Sequence, residues 1–151
     1  FLVILMFIGA SPGGTGGGIK TTTFVILLMS VASTISGKGK IEIRERSVPT
    51  LLVPKSVAIT LLALSLIVAL TLVLLLSEGS DLLTTLFEVT SAFGTVGLTM
   101  GLTPKLSVLG RLVIAALMFS GRVGPLTLAV AIAQRQRQNH LSFPEESIVV
   151  G

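Results

Sequence analysis

Residues 11–23 read SPGGTGGGIKTTT, a run of glycines followed by a lysine and three threonines. Phosphate binding is the first chemistry this suggests, because glycine backbone N–H groups and a lysine together can cradle an anion. The spacing refuses it. A P-loop needs glycine immediately before its lysine, and Ile19 stands there, ahead of Lys20 and Thr21. The dinucleotide pattern G-x-G-x-x-G fails at the same residue, since Ile19 takes the third glycine position after Gly14 and Gly16. A second stretch, Thr95-Val96-Gly97-Leu98-Thr99, offers different chemistry. Gly97 carries no Cβ penalty and lets successive carbonyls point to one side. Such carbonyls replace the water shell of K⁺ in ion filters. The plainer alternative is a buried turn between helices. The hydroxyls of Thr90, Thr95 and Thr99 either add oxygen ligands or satisfy backbone groups.

Lys20, Glu88 and Arg122 are ionisable residues inside otherwise apolar sequence. Lys20 either places positive charge at membrane depth, where ionisable groups are functional by default, or snorkels to the membrane surface. Arg122, in FSGRVGP, lies too far from either end of its apolar block to snorkel easily and must face protein or water. Glu88 either attracts cations near an outer mouth or braces the 95–99 backbone by hydrogen bonding. There is no cysteine, and His140 is the single histidine. Thiolate and multi-histidine metal sites are thereby excluded.

The elements that position these residues follow from composition. Of the 151 residues, 51% are hydrophobic and 12% charged, about half the charged share of a soluble domain. The apolar residues fall in long runs, so the expectation is an all-α integral membrane protein. The net charge of +4 is assigned to membrane-flanking loops rather than to nucleic acid. The opening FLVILMF has no basic region before it and no cleavage site after it. It reads as the middle of a transmembrane helix, and hence the chain as a fragment.

Four blocks emerge. Residues 1–36 form one span broken in the middle by the glycine-rich loop 11–23, since neither half reaches the roughly 20 residues a bilayer needs. Residues 37–50 are a polar loop with Lys38, Lys40, Arg44 and Arg46 against Glu42 and Glu45. Residues 51–77 are long enough to cross. Residues 81–93 are too short and carry Glu88, so they are re-entrant or interfacial; Ser80 or Asp81 is the expected cap. Residues 94–99 follow as the candidate filter, then a helix over 106–133 and a polar tail, 134–151. The positive-inside rule places the basic loop and the C-terminus in the cytoplasm.

Three motifs, in order, resemble a known family. MFIGASPGGTGGGIKTTTF resembles the broken last helix of the third repeat of a K⁺ transporter of the KtrB/TrkH superfamily. LFEVTSAFGTVGLTMGLTP resembles the fourth pore helix and filter strand, and MFSGRVGPLTLAVA the last helix. The likeness covers essentially the whole chain and is closest to KtrB. It implies four helix–pore-helix–helix repeats around one pore, of which this chain holds the end of the third and the complete fourth. It implies K⁺ ligation by the backbone of Thr95, Val96 and Gly97, with Leu98 and Thr99 completing the strand and Glu88 supporting it. It implies that Gly13, Gly14, Thr15, Gly16, Gly17, Gly18 and Lys20 form an intramembrane gate. Arg122 there points to the pore and bonds the loop's free carbonyls; a salt bridge within the bundle is the alternative. It further implies a multi-pass plasma-membrane protein that is no enzyme and binds no cofactor. K⁺ is the transported ion and Na⁺ a coupling ion in some relatives. The implied partners are a second copy of the full-length subunit, membrane lipid and a cytoplasmic nucleotide-binding ring of the KtrA/TrkA kind, with no nucleic acid. The competing function is a broken-helix secondary transporter, with substrate and ion held at half-helix ends.

Overall fold

The computed structural model describes residues 1–37, 42–43, 46–49 and 51–124. The expected extension of the last helix to residue 133, the tail 134–151 and most of the basic loop lie outside the described residues.

The first apolar block is two helices, α1 (Leu2–Ile8) and α2 (Thr21–Ile35). Each is too short to cross a bilayer on its own. The cause of the break is local. Pro12 has no N–H to give a helix, and glycines cost a helix about 1 kcal/mol each relative to alanine. The loop 37–50 contains a minimal antiparallel pair, β1 (Glu42–Ile43) and β2 (Arg46–Ser47), with Glu42 opposite Ser47 and Ile43 opposite Arg46. The otherwise all-helical expectation lacked this ribbon.

Helix α3 (Leu52–Glu78) is, among the described residues, the one helix long and apolar enough to cross a membrane. Its 27 residues extend about 40 Å at 1.5 Å per residue. Gly79 stops it in the left-handed conformation, φ 61°, and returns its N–H to Leu75 O, the usual service of glycine at a helix end. Helix α4 (Leu82–Gly94) follows at once. Asp81 caps it, accepting the N–H groups of Leu83 and Thr84 at 3.1 and 3.4 Å. Its 13 residues reach only about 20 Å. A 3₁₀ turn at Thr103–Lys105 leads to α5 (Val108–Val123), capped by Ser107, whose Oγ accepts Gly110 N–H.

The core forms around α4, which packs against α1, α3 and α5, while α2 packs on α3. Val89 and Phe93 of α4, Leu74 of α3 and Leu117 of α5 are nearly or fully inaccessible. Phe7 of α1 stacks on Phe93, with ring centroids 6.2 Å apart. The short helix is therefore the buried centre, and the long one presents Leu61, Leu64, Val68, Leu72 and Leu76 outward. An outward apolar face of that extent suits lipid or further protein rather than water. At the far end of α3, Glu78 accepts both the N–H and the hydroxyl of Ser107, at 3.0 and 2.6 Å, tying α3 to the start of α5.

Candidate functional site

Two sequence stretches 78 residues apart meet at the C-terminus of α4. The break between α1 and α2 would strand the last carbonyls of α1, which a helix leaves unpaired. The returning chain satisfies them. Ile19 N–H bonds Phe7 O at 3.2 Å, Lys20 N–H bonds Ile8 O at 2.9 Å, and Thr21 N–H bonds Ala10 O at 3.3 Å. Ala10 N–H in turn bonds Gly17 O at 3.2 Å. The half-helices are thus stitched together while residues 11–15 stand exposed as a loop. Gly13 and Gly18 take φ of 84° and 92°, and Lys20, at the cap of α2, takes φ 76° and is half-buried. Ile19, the residue that spoils both phosphate motifs, is a core residue, 2% exposed.

The inner half of the loop, Gly16–Ile19, lies against α4 and α5. Gly17 N–H is shared between Gly94 O at 3.1 Å and Thr95 Oγ1 at 2.8 Å. The backbones come so close that Gly9, Gly17, Gly18, Gly94 and Gly121 have no room for a side chain. A Cβ on Gly17 would lie 2.6 Å from Phe93 O, and one on Gly121 only 1.9 Å from the same oxygen. A Cβ on Gly94 would lie 2.5 Å from Met6 O, and one on Gly9 2.1 Å from Gly17 O. Small residues at such a junction let helix backbones approach closely in a membrane protein. At its outer edge the loop meets Arg122, whose Nη1 donates to Thr15 O at 3.2 Å.

Beyond Gly94 the chain leaves the helix in an open segment. Thr95 is left-handed, φ 52° and ψ 38°, a conformation rarely adopted by a β-branched residue. Val96 N–H still bonds Ser91 O at 3.0 Å. Val96, Gly97, Leu98 and Thr99 are exposed. Gly97 has φ 81°, with nothing within 4 Å of where its Cβ would stand. The segment is anchored at its far side by Glu88, 5% exposed in the middle of α4. Its carboxylate accepts the hydroxyl of Thr99 at 2.8 Å and that of Thr103, and Thr99 Oγ1 accepts Gly101 N–H at 2.9 Å. A cavity of about 290 Å³ lies behind the segment, bordered by Glu88, Ser91, Gly97, Thr103 and Met118.

Six of the residues singled out in the sequence are therefore drawn into two connected groups. Thr15, Gly17 and Arg122 meet around the loop, and Glu88 and Thr99 hold the open segment; Gly17 and Thr95 join the groups. Gly13 and Gly14 stay at the exposed tip, where Gly14 N–H bonds Ser11 O at 3.1 Å. Thr90 stays apart, because its hydroxyl bonds Leu86 O of its own helix at 2.7 Å. Arg122 bonds the loop rather than Glu88, whose oxygens are taken by threonines. The sequence reading missed Gly9 and Gly121, placed Gly94 in the candidate filter rather than at this junction, and missed Thr103. The spacing of Gly9 from the glycine run and the pair Gly94-Thr95 were available signals. Nothing local pointed from Glu88 to Thr103.

Comparison with known proteins now bears on this arrangement. The family model described as TrkH, cation transport protein, matches residues 1–142. The chain is 40% identical over 151 residues to the Ktr system potassium uptake protein D of Bacillus subtilis. It is 42% identical over 156 residues to the potassium/sodium uptake protein NtpJ of Enterococcus hirae, and 37% over 150 to the Ktr system potassium uptake protein B of Vibrio alginolyticus. These alignments cover 99–100% of this chain but only about a third of each relative, 34%, 34% and 33%.

Proposed function

The chain belongs to the TrkH family of cation transport proteins, membrane proteins and not enzymes, and we propose that it forms part of the ion-conducting subunit of a K⁺ uptake system. Residues 95–99 act as one strand of a carbonyl filter, with α4, which takes in Gly94, as its pore helix. Thr95, Val96 and Gly97 present backbone oxygens that take the place of the ion's water. The glycine-rich loop, which ends at Lys20 rather than residue 23 because Thr21 opens α2, is held by Arg122 on Thr15 and closes the path beside that strand. The observation that carries this reading is the shared hydrogen bond from Gly17 N–H to Gly94 O and Thr95 Oγ1. It sets the glycine-rich loop directly against the foot of the open segment.

The physics of each part supports its role. Non-helical backbone at membrane depth requires burial in protein or a water-lined cavity. The 96–99 segment is exposed in this chain alone, which suits a strand that other repeats of a longer parent complete. A loop rich in glycine has little intrinsic conformational preference, as an element with two states of similar energy needs. A guanidinium on a loop carbonyl puts positive charge where a cation must pass, and moving the loop releases the guanidinium from that carbonyl. Glu88 shapes the strand by holding the Thr99 and Thr103 hydroxyls.

The names of the relatives support K⁺ as the substrate, and NtpJ's printed name adds Na⁺. The word system in two of those names fits a pore subunit with a regulatory partner. In this reading the parent chain is a homodimer in lipid, its basic 37–50 loop and C-terminus face the cytoplasm, and a nucleotide-binding ring docks there.

The test uses the full-length parent in cells lacking their own K⁺ uptake, comparing wild type with Gly97→Ser. The expected result is a K⁺ over Na⁺ preference weakened about tenfold, equivalent to ~1.4 kcal/mol of discrimination, with the protein still in the membrane. Unchanged uptake and preference would remove the filter assignment and put the broken-helix transporter first.

A further inference from the structure

Thr95 is an odd residue for its place. It ends α4 in the left-handed region, φ 52°, where glycine is the usual choice and asparagine the next. A β-branched side chain there is a genuine outlier, and such outliers persist only where surrounding contacts hold them. Two contacts hold this one. Thr95 N–H bonds Ala92 O at 3.0 Å, and Thr95 Oγ1 accepts Gly17 N–H at 2.8 Å. The second contact spans 78 residues of sequence and joins the open segment to the loop. A glycine would relieve the strain and lose that bond. A valine would keep the branched shape and lose it too.

We propose that the Thr95 hydroxyl couples the two elements, so that ion occupancy of the 95–99 segment and displacement of the glycine-rich loop oppose each other. The coupling rests on the filter-and-gate reading above. An ion held by the carbonyls of the segment favours its ordered backbone, including left-handed Thr95. That backbone presents Oγ1 to Gly17 N–H and keeps the loop seated. When the loop leaves, Thr95 loses the contact that offsets its strain, and the segment loosens. Linkage makes the effect reciprocal: whatever loop seating does for ion binding, ion binding does for loop seating, by the same factor. Gly17 N–H also has Gly94 O, so losing the hydroxyl weakens the seat without abolishing it.

The test places a reporter on the loop and the perturbation on the segment. Ser11 is exposed at the start of the loop. Ser11→Cys is made in the full-length parent, with any cysteine elsewhere in it replaced by serine, and its rate of modification by a soluble thiol reagent is followed in membranes. K⁺ is compared with choline at equal ionic strength. With Thr95 present, K⁺ slows modification about fivefold, the scale of one buried hydrogen bond. Thr95→Ser, which keeps the hydroxyl, retains the K⁺ effect. Thr95→Val loses it, and Thr95→Ala serves if the valine variant does not reach the membrane. A K⁺ effect that persists without the hydroxyl overturns the coupling, as does a rate indifferent to K⁺ when Thr95 is intact. Either result leaves the filter reading standing. Unchanged transport in Gly97→Ser removes that reading and the coupling with it.

Discussion

The glycines of the junction and those of the open segments are the same residue put to two uses. At Gly17, Gly94 and Gly121 a Cβ would fall 2.6, 2.5 and 1.9 Å from a backbone oxygen. Their φ values are ordinary; what they supply is absence of bulk, so that α1, the loop, α4 and α5 can touch backbone to backbone. At Gly13, Gly97 and Gly101 there is open space, with nothing within 4 Å, and φ is 84°, 81° and 87°. Those supply a dihedral that other residues avoid. The difference separates two ways of failing. A residue needed for room fails by misassembly. A residue needed for its dihedral, in open space, fails locally and leaves the assembly standing.

Breaking the junction has the largest expected effect. Gly121→Ala drives a methyl group into Phe93 O, which belongs to helix backbone and cannot swing aside. A cost of about 3 kcal/mol, the upper end of overpacking penalties, is expected. It is read as lost membrane-inserted parent chain by quantitative immunoblotting, with uptake falling in proportion. A normal amount of Gly121→Ala protein would mean the junction is looser than its geometry.

Glu88→Ala comes next. It strands the hydroxyls of Thr99 and Thr103 and frees the far side of the open segment without touching the junction. The expected cost is about 2 kcal/mol, as for other buried hydrogen-bond partners removed singly. A lowered thermal midpoint of the purified parent would register it, and Glu88→Gln, which can still accept, should recover much of the loss. Equal loss in both variants would mean that the charge, not the hydrogen bonding, holds the segment.

Gly13→Ala sharpens the comparison from the other side. It asks an L-residue to sit left-handed at an exposed loop tip, at about 1 kcal/mol, with no clash. Its thermal midpoint should barely move beside that of Gly121→Ala. A drop matching Gly121→Ala would erase the distinction between room and dihedral.

Several elements were legible in the sequence because their causes are local. Ser80 or Asp81 ahead of a short apolar run marks both the cap and the brevity of α4, and Asp81 is the one that caps it. The glycines and Pro12 announce the break after α1. Arg122 was legible as a cation needing a partner, and a loop carbonyl is what it found. The rest depends on contacts that sequence spacing does not encode. Leu106 reads as the start of the last helix, but it is buried and α5 begins at Val108, because Ser107 is held by Glu78 and acts as cap. The β1–β2 ribbon was hidden by charge in a segment too short to display alternation. Gly121 looks like any small residue in an apolar helix; only the approach of Phe93 O gives it a purpose. The Thr95 hydroxyl read as either an oxygen ligand or a partner for a backbone group, and that the group is Gly17 N–H appears only when the loop is folded back.

The central claim is that Gly97 serves ion passage and not assembly. The most direct measurement reconstitutes the purified full-length parent, wild type and Gly97→Ser, into liposomes and records K⁺ and Na⁺ flux per inserted molecule. Equal insertion and a K⁺ preference reduced about tenfold, ~1.4 kcal/mol, are expected. Poor insertion with wild-type preference in the molecules that remain would contradict that claim, and would move Gly97 into the same class as Gly121.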